Sequence, residues 1–292
     1  MLIQRADIVW ILEKYEENGG CSDDFLLIGG GASTHWYFAL SQMDEEAEEP
    51  EQFQTRDIDL HVRTNNSLGA VRQRVELLAS SIGATTRYPE FGESTPEYAR
   101  LVIPGHFDTG EDLEIDLMKS PHGLSAKEIE DHAEQLFGDP TSDGQPGRAF
   151  PVLHPVHVVL GLCMSYLELP SKRDAVTLQR IEALLPIVRR YLIGQAEYAQ
   201  SPGAAAELER RQVLKEARWG IQKLMKESAR PQFASFYLDH DVDLTKAVPT
   251  EYEAPLNPEF WHREFPALVR RVKERREAAR NRRACNLSRC RQ

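Results

Sequence analysis

The sequence has little cysteine and no long uncharged apolar stretch, and both absences exclude classes of protein. There are four cysteines in 292 residues, and none of them form the C-x-x-C pairs typical of zinc sites. Neither a disulfide scaffold nor a structural zinc site is therefore expected, and a reducing, cytoplasmic location fits best. No stretch approaches the roughly 18 to 20 apolar residues that a membrane helix needs. We expect a soluble protein with no membrane partner.

The amino terminus lacks the features of a secretion signal. Residues 1–20 place Asp and Glu among their apolar residues and contain no small-residue cleavage site. Apolar positions recur at helical spacing over residues 4–17, which predicts an amphipathic helix. Secretion is not expected.

Charge is distributed unevenly along the chain. The formal net charge is −11, yet residues 263–292 contain eleven Arg or Lys and three Glu, so this tail carries +8 and the rest carries −19. A basic tail on an acidic body suits the phosphate backbone of a nucleic acid or an acidic partner. The same composition is typical of a solvated terminal helix, and composition does not decide between the two.

The length and the change of pattern along the chain predict two domains. Up to residue 120 the chain alternates apolar strands and amphipathic helices in the order α-β-α-β-α-β-β, and a helix is predicted over 123–137. A linker rich in Pro and Gly follows, after which the pattern is helical throughout. We predict an α+β protein with a mixed β-sheet in an amino-terminal domain, residues 1–148, and an all-helical domain, residues 149–292.

A glycine turn, GGGAS at Gly29–Ser33, follows an apolar strand and precedes a predicted helix. Backbone N–H groups and the helix dipole bind phosphate at such a turn. It is not a dinucleotide fingerprint, because Thr34 stands where the third glycine belongs, and no Gly-Lys-Ser/Thr follows to make a P-loop. Alone, the turn is equally typical of a tight bend where only glycine fits.

The strand TRDIDLHV, residues 55–62, contains two aspartates where strands rarely have them. Asp57 and Asp59 are two residues apart, so they share a face and repel each other. A third, Asp116, lies within the apolar strand LEIDLM. Three carboxylates at one sheet edge are unfavourable unless a cation neutralises them, and Mg²⁺ takes a few carboxylates together with substrate phosphate oxygens. We therefore predict a Mg²⁺ site, with Mn²⁺ as the alternative ion; a solvated strand edge is the alternative structure.

In combination, the motifs GGGAS, RDIDL and EIDL resemble the DNA polymerase β-like nucleotidyltransferase superfamily. Its hallmark is a Gly-Gly or Gly-Ser turn, an h-D-h-D/E-h strand and a third acidic strand, and the resemblance covers residues 20–120. TRDIDL together with the later PVLHP and KRDAVTLQ is similar to the minimal nucleotidyltransferases of bacterial toxin–antitoxin systems, the AbiE/MenT-like branch.

The resemblance implies a Mg²⁺-dependent transfer of a nucleoside monophosphate from an NTP to a hydroxyl group, releasing pyrophosphate. Asp57 and Asp59 would hold the metal, and Asp116 would complete the site as ligand or general base. Lys172 or Arg173 would bind the triphosphate. Three residues of the glycine turn would also contact the triphosphate: Gly30, Gly31 and Ser33.

The same resemblance implies a toxin-like enzyme whose acceptor is a tRNA 3′ end, contacted by the basic tail, and whose protein partner is a cognate antitoxin. Two alternatives stay open. The acceptor could instead be a small polycation such as an aminoglycoside, which an acidic cleft favours, or the chain could be a catalytically inactive nucleotide-binding module.

Some residues depart from the family pattern or lie beside it. An acidic loop, Asp44–Glu51, lengthens the gap between the glycine turn and the D-x-D strand. The regular K-D-x-x-D pattern is absent at Lys172, which leaves open whether this residue or Arg173 contacts the triphosphate. His61 shares the face of the two strand aspartates and is a further site candidate, whereas Arg56 faces the other way.

Overall fold

The computed structural model divides into two units, Met1–Ser165 and Tyr166–Gln292. It describes residues 3, 5–41, 50–55, 57–63, 68–90, 95–107, 109–137, 149–201, 207–250 and 259–289. A mixed sheet with helices in the first unit and helices in the described part of the second confirm the predicted α+β class. The domain boundary predicted near residue 148 lies outside the described residues, as do residues 44–49 of the acidic loop and Arg56.

The first unit is built around a seven-stranded sheet. Its described elements are α1 (Arg5–Glu17), β1 (Phe25–Leu27), α2 (Gly29–Ser41), β2 (Asp57–Val62), α3 (Leu68–Ile82), β3 (Thr85–Arg87), β4 (Glu97–Ile103), β5 (Leu113–Met118), α4 (Ala126–Asp131), β6 (Glu134–Phe137), β7 (Ala149–Val152) and most of α5 (Pro155–Glu168), whose residues 166–168 belong to the second unit. The strand order is β3-β4-β5-β2-β1-β7-β6. The pairs β2/β5 and β1/β7 are parallel and the other neighbours are antiparallel, so the sheet is mixed.

The helices of the first unit follow the predicted apolar periodicity. In α3 the apolar residues that recur at helical spacing are all buried: Val71, Val75, Leu78, Ala79 and Ile82. Helix α1 packs against α3, and α2 packs against β2. Because α2 follows β1 directly, this packing holds the glycine turn at the end of the strand that neighbours β2.

The prediction of one helix over residues 123–137 is wrong in its second half. Helix α4 ends at Asp131, and β6 pairs antiparallel with β7. One further helical turn adds few hydrogen bonds, whereas pairing with β7 joins the segment to the sheet. Strands β3, β6 and β7 are only three or four residues long, too short to show a period in the sequence.

The second unit is helical in the residues that the structure describes. It contains α6 (Ala175–Gln200), α7 (Glu207–Ser228), α8 (Pro231–His240) and α9 (Phe265–Arg289), with short turns at Pro170–Lys172, Leu244–Ala247 and Phe260–Glu264. Helix α6 begins after Asp174, whose carboxylate accepts a hydrogen bond from the Thr177 N–H at 2.6 Å as an N-cap. Across the described part of the chain, no helix combines the length and the apolar character needed to span a membrane.

Residues 265–289 of the basic tail form α9, which has a packed side. Val272 and Ala279 are buried, and the helix packs against α7 and α8. Arg276 makes two hydrogen bonds to Asp243, one of them 3.0 Å long, and its guanidinium lies 3.9 Å from the centre of the Tyr237 ring. Burial of Asp243 raises its pKa, but the hydrogen bonds from Arg276 and Thr245 together outweigh burial and lower it. The tail is thus an integral helix of this unit.

His154, just before α5, is fully buried in the first unit. Its Nδ1 accepts a hydrogen bond from the Val156 N–H at 3.1 Å, so the neutral ring carries its proton on Nε2. The ring centre of His157 lies 6.2 Å away. Burial, together with the charges of His157 and His132, lowers the pKa of His154 well below its ordinary value. The folded protein therefore keeps this ring neutral.

We predict that the free energy of unfolding falls as the pH drops below about 6.5, where His154 takes up a proton in the unfolded chain but not in the folded one. The unfolded state then binds more protons, and this group contributes a slope of up to about 1.4 kcal/mol per pH unit. Denaturant unfolding between about pH 7.5 and about pH 5.5 measures it. The variant His154→Gln should show a shallower slope, with the exposed His262→Gln as control; equal slopes would contradict this reading.

Candidate active site

The structure brings the three predicted aspartates together. Asp57 and Asp59 share one face of β2, and the parallel register places Asp116 of β5 directly beside Asp59. One carboxylate oxygen of each residue lies within 4.8 Å of the other two. Asp116 is buried and the other two are half-buried. Among the residues that the structure describes, no other group of three acidic, histidine or cysteine side chains is arranged in this way.

The glycine turn fits against the strand that carries the aspartates. Gly29 has a φ of +61°, and a Cβ atom there would lie 1.8 Å from Oδ2 of Asp59. A Cβ on Gly30 would lie 2.6 Å from Oγ1 of Thr55, which in turn donates a hydrogen bond to Oδ1 of Asp57 at 2.9 Å. Any larger residue would push the aspartates out of place. The glycines are therefore required by the same packing that positions the carboxylates.

The three residues of the glycine turn that are predicted to contact a triphosphate lie at the start of α2. Gly30, Gly31 and Ser33 are buried there, and the Ser33 hydroxyl donates to the Gly29 carbonyl at 3.0 Å. The first N–H groups of a helix have no helical acceptor and lie at the positive end of its dipole. The backbone of this turn, rather than the Ser33 hydroxyl, is thus the group suited to a phosphate. Contact with a triphosphate stays a prediction.

One basic residue at the centre of the site belongs to no sequence motif. Arg100 of β4 lies opposite Asp116, and its Nε and Nη2 donate to the two carboxylate oxygens at 2.6 and 3.2 Å. The same guanidinium donates to Glu114 at 3.1 Å and to Glu97 at 3.5 Å. Its only sequence signal is a charge within the apolar strand ARLVI, and its partners depend on how β4 and β5 pair.

Burial and nearby carboxylates disfavour the ionised form of Asp116. Burial is the largest effect and raises its pKa above the ordinary value, and the charges of Glu97 and Asp57 add to it. Arg100 opposes all of these, since it stabilises the ionised carboxylate. Among the residues that the structure describes, the site therefore holds more negative charge than the guanidinium of Arg100 balances, as a cation site requires.

His61 lies on the face predicted for it and is fully buried. Its Nε2 lies 2.9 Å from Oε1 of Glu130 in α4, so the pair ties the aspartate strand to that helix. Burial lowers the pKa of His61, against the opposing effect of Glu130. A direct role of His61 in the site stays a prediction.

Lys172 and Arg173 belong to the second unit, whereas the aspartates and the glycine turn belong to the first. Arg173 donates to the carbonyl of Leu167 at 2.7 Å and to that of Tyr166 at 3.3 Å, so its guanidinium caps the end of α5. The Lys172 side chain is exposed and forms no hydrogen bond or ion pair with any described residue. Of the two, Lys172 is the one whose charge is available to a ligand; that it binds a triphosphate stays a prediction.

No protein-family model matches the chain, and a search of curated proteins finds no significant match. The function is therefore inferred from the site and from the motifs.

We predict that Gly29→Ala destabilises the protein more than Gly105→Ala. Both glycines have nearly the same positive φ, +61° and +59°, but only at Gly29 would the new methyl group collide with an aspartate, since nothing lies within 4 Å of the Cβ position at Gly105. The control, Gly105→Ala, should lower the free energy of unfolding by about 1 to 2 kcal/mol through backbone strain alone. Gly29→Ala should lower it several times more. Denaturant unfolding of the two variants measures the difference, and equal losses would contradict the packing described.

Proposed function

We propose that the protein is a Mg²⁺-dependent nucleotidyltransferase, which transfers a nucleoside monophosphate from an NTP to a hydroxyl group and releases pyrophosphate. The observation that carries this proposal is the convergence of Asp57, Asp59 and Asp116 within 4.8 Å beside a glycine turn. A divalent cation takes carboxylate oxygens as ligands and would offset their repulsion. The resemblance of the motifs to the DNA polymerase β-like superfamily supports the same reaction.

The residues present fit such an ion. Asp57 and Asp59 would hold it together with Asp116, and Gly29 leaves the space that the Asp59 carboxylate needs. When bound, Mg²⁺ would orient the triphosphate and stabilise the charge of the leaving pyrophosphate, and Mn²⁺ suits the same oxygen ligands.

The other steps use groups of the chain itself. Backbone N–H groups in the first turn of α2 would bind phosphate oxygens. Asp116 would accept the proton of the acceptor hydroxyl at a carboxylate oxygen, because burial raises its pKa and so makes it a stronger base. Asp116 has two carboxylate oxygens, so one could bind the metal while the other accepts the proton.

RNA is the proposed acceptor, with a tRNA 3′ end as the first candidate. Arg271, Arg275 and Arg282 of α9 are exposed and form no ion pair with any residue that the structure describes. Their spacing of four and seven residues places them along one side of the helix. The arginines on the packed side, Arg276 and Arg283, are instead paired with aspartates of the same unit. The exposed row suits the phosphate backbone of RNA. A cognate antitoxin stays a prediction.

We predict that Asp57→Asn/Asp59→Asn lowers nucleotide transfer by roughly 10³-fold or more, the equivalent of about 4 kcal/mol of lost transition-state stabilisation. The purified protein is incubated with Mg²⁺, each α-phosphate-labelled NTP in turn and total bacterial RNA. The control is Asp131→Asn, an exposed carboxylate in α4. Label in tRNA-sized RNA with one NTP, absent only in the double variant, is the expected result.

Other outcomes separate the alternatives. Label on an aminoglycoside or another small acceptor but not on RNA would change the acceptor class. Nucleotide binding without transfer to any acceptor would support an inactive binding module and contradict the proposed reaction.

We predict that changing Arg271, Arg275 and Arg282 together to Gln weakens RNA binding and lowers the salt dependence of the binding constant by about one unit of slope per lost contact. The control removes the same charge from other sides of α9, in the variant Arg270→Gln/Lys273→Gln/Arg280→Gln. Deleting the tail would be a poorer test, because α9 contributes buried residues to its unit. Equal losses in both triple variants would show that net charge, and not this row, decides binding.

A further inference from the structure

Arg100 occupies the same carboxylate oxygens of Asp116 that a metal ion would need as ligands. Its Nε and Nη2 engage both carboxylate oxygens, at 2.6 and 3.2 Å. The planar fork of a guanidinium matches a carboxylate in this two-point contact, which is stronger than a single hydrogen bond. One of those two oxygens is also needed if Asp116 is to bind a cation together with Asp57 and Asp59.

We propose that Arg100 is a built-in counter-ion of this site, which stabilises the carboxylates while no metal is bound and lowers the affinity for a divalent cation. The inference rests on the proposed function, namely that the three aspartates hold such a cation. Arg100 thus determines the metal concentration at which the site becomes occupied. It does not contact the reacting groups.

The surroundings of Arg100 allow it to release Asp116 without losing all of its partners. Glu114, two residues before Asp116 on the same face of β5, accepts from its Nη1 at 3.1 Å, and Glu97 of β4 accepts at 3.5 Å. When a cation takes Asp116, these carboxylates keep the guanidinium neutralised. Replacing Arg100 by a cation at Asp116 then needs only a shift of the Arg100 side chain and no change in the sheet.

The size of the expected effect follows from charge. A doubly charged ion and a guanidinium that share one carboxylate repel each other, and even with the dielectric constant of water this repulsion weakens binding by about tenfold or more. In the absence of metal, the loss of Arg100 leaves Asp116 buried beside other carboxylates. The metal-free protein should then be less stable, and metal should restore more stability than in the wild type.

The test compares the full-length wild type with Arg100→Gln, using Mn²⁺ alone as the probe. Titration calorimetry gives the Mn²⁺ dissociation constant, and thermal unfolding with a chelator and with excess Mn²⁺ gives the stabilisation by metal. We expect Arg100→Gln to bind Mn²⁺ about tenfold more tightly, to melt at a lower temperature in chelator, and to gain more from Mn²⁺.

The matched control is Arg87→Gln. Arg87 of β3 lies directly opposite Arg100 on the next strand, is exposed, and forms no ion pair with any described residue. The substitution removes the same charge one strand further from the aspartates, so the Mn²⁺ affinity should change by less than about threefold. Arg100→Lys keeps the charge without the fork and should resemble the wild type more than Arg100→Gln does, which keeps the test valid if Arg100→Gln folds poorly.

The outcomes distinguish this inference from the proposed function. Weaker or unchanged Mn²⁺ binding in Arg100→Gln would overturn the counter-ion role, and weaker binding would show that Arg100 positions Asp116 for the metal. No Mn²⁺ binding by the wild type would overturn the metal site itself. Binding that survives Asp57→Asn/Asp59→Asn would place the ion elsewhere and overturn both.

Discussion

The repulsion among three carboxylates on one face of the sheet is the constraint around which the first unit is arranged. Asp57, Asp59 and Asp116 lie within 4.8 Å of one another, two of them on the same strand. At that separation each pair of like charges costs about 1 kcal/mol in water and about 4 kcal/mol near a protein surface. Their neighbours offset this. Thr55 donates to one carboxylate, and Arg100 donates to another.

The apolar faces of β2 and β5, opposite the aspartates, explain why these strands form despite the repulsion. Ile58 and Leu60 of β2 and Ile115 and Leu117 of β5 alternate with the aspartates, and each is at most 1% exposed. Burying a side chain of this kind contributes about 1.5 to 3 kcal/mol. Four of them outweigh the repulsion on the other face, so the strands hold the carboxylates together even though the charges oppose it. The site is therefore stabilised by the core behind it.

Arginine has two distinct uses in this protein. Arg100, Arg276 and Arg173 lie against carboxylates or carbonyl groups and stabilise the units to which they belong. Arg271 and Arg282 of α9 are exposed on the side of the helix where no such partner is described. Within α9, Arg276 of the first group has the same residue type and the same local sequence context as Arg271 and Arg282. Only the side of the helix that packs on α8 separates a structural arginine from one that is available to a phosphate backbone.

Local patterns in the sequence determined strands β1, β2, β4 and β5, the glycine turn and the three aspartates, because periods of two and of about 3.6 residues depend on neighbouring residues alone. The alternation DIDL predicts which side chains share a face, and LEIDLM identifies the strand of Asp116. The tertiary structure decided the rest. Arg100 reaches Asp116 through the register of β4 on β5, Gly29 contacts Asp59 across two elements, and Glu134–Phe137 becomes a strand because β7 is beside it. Each of these contacts joins residues distant in the chain, and no local pattern encodes such pairing.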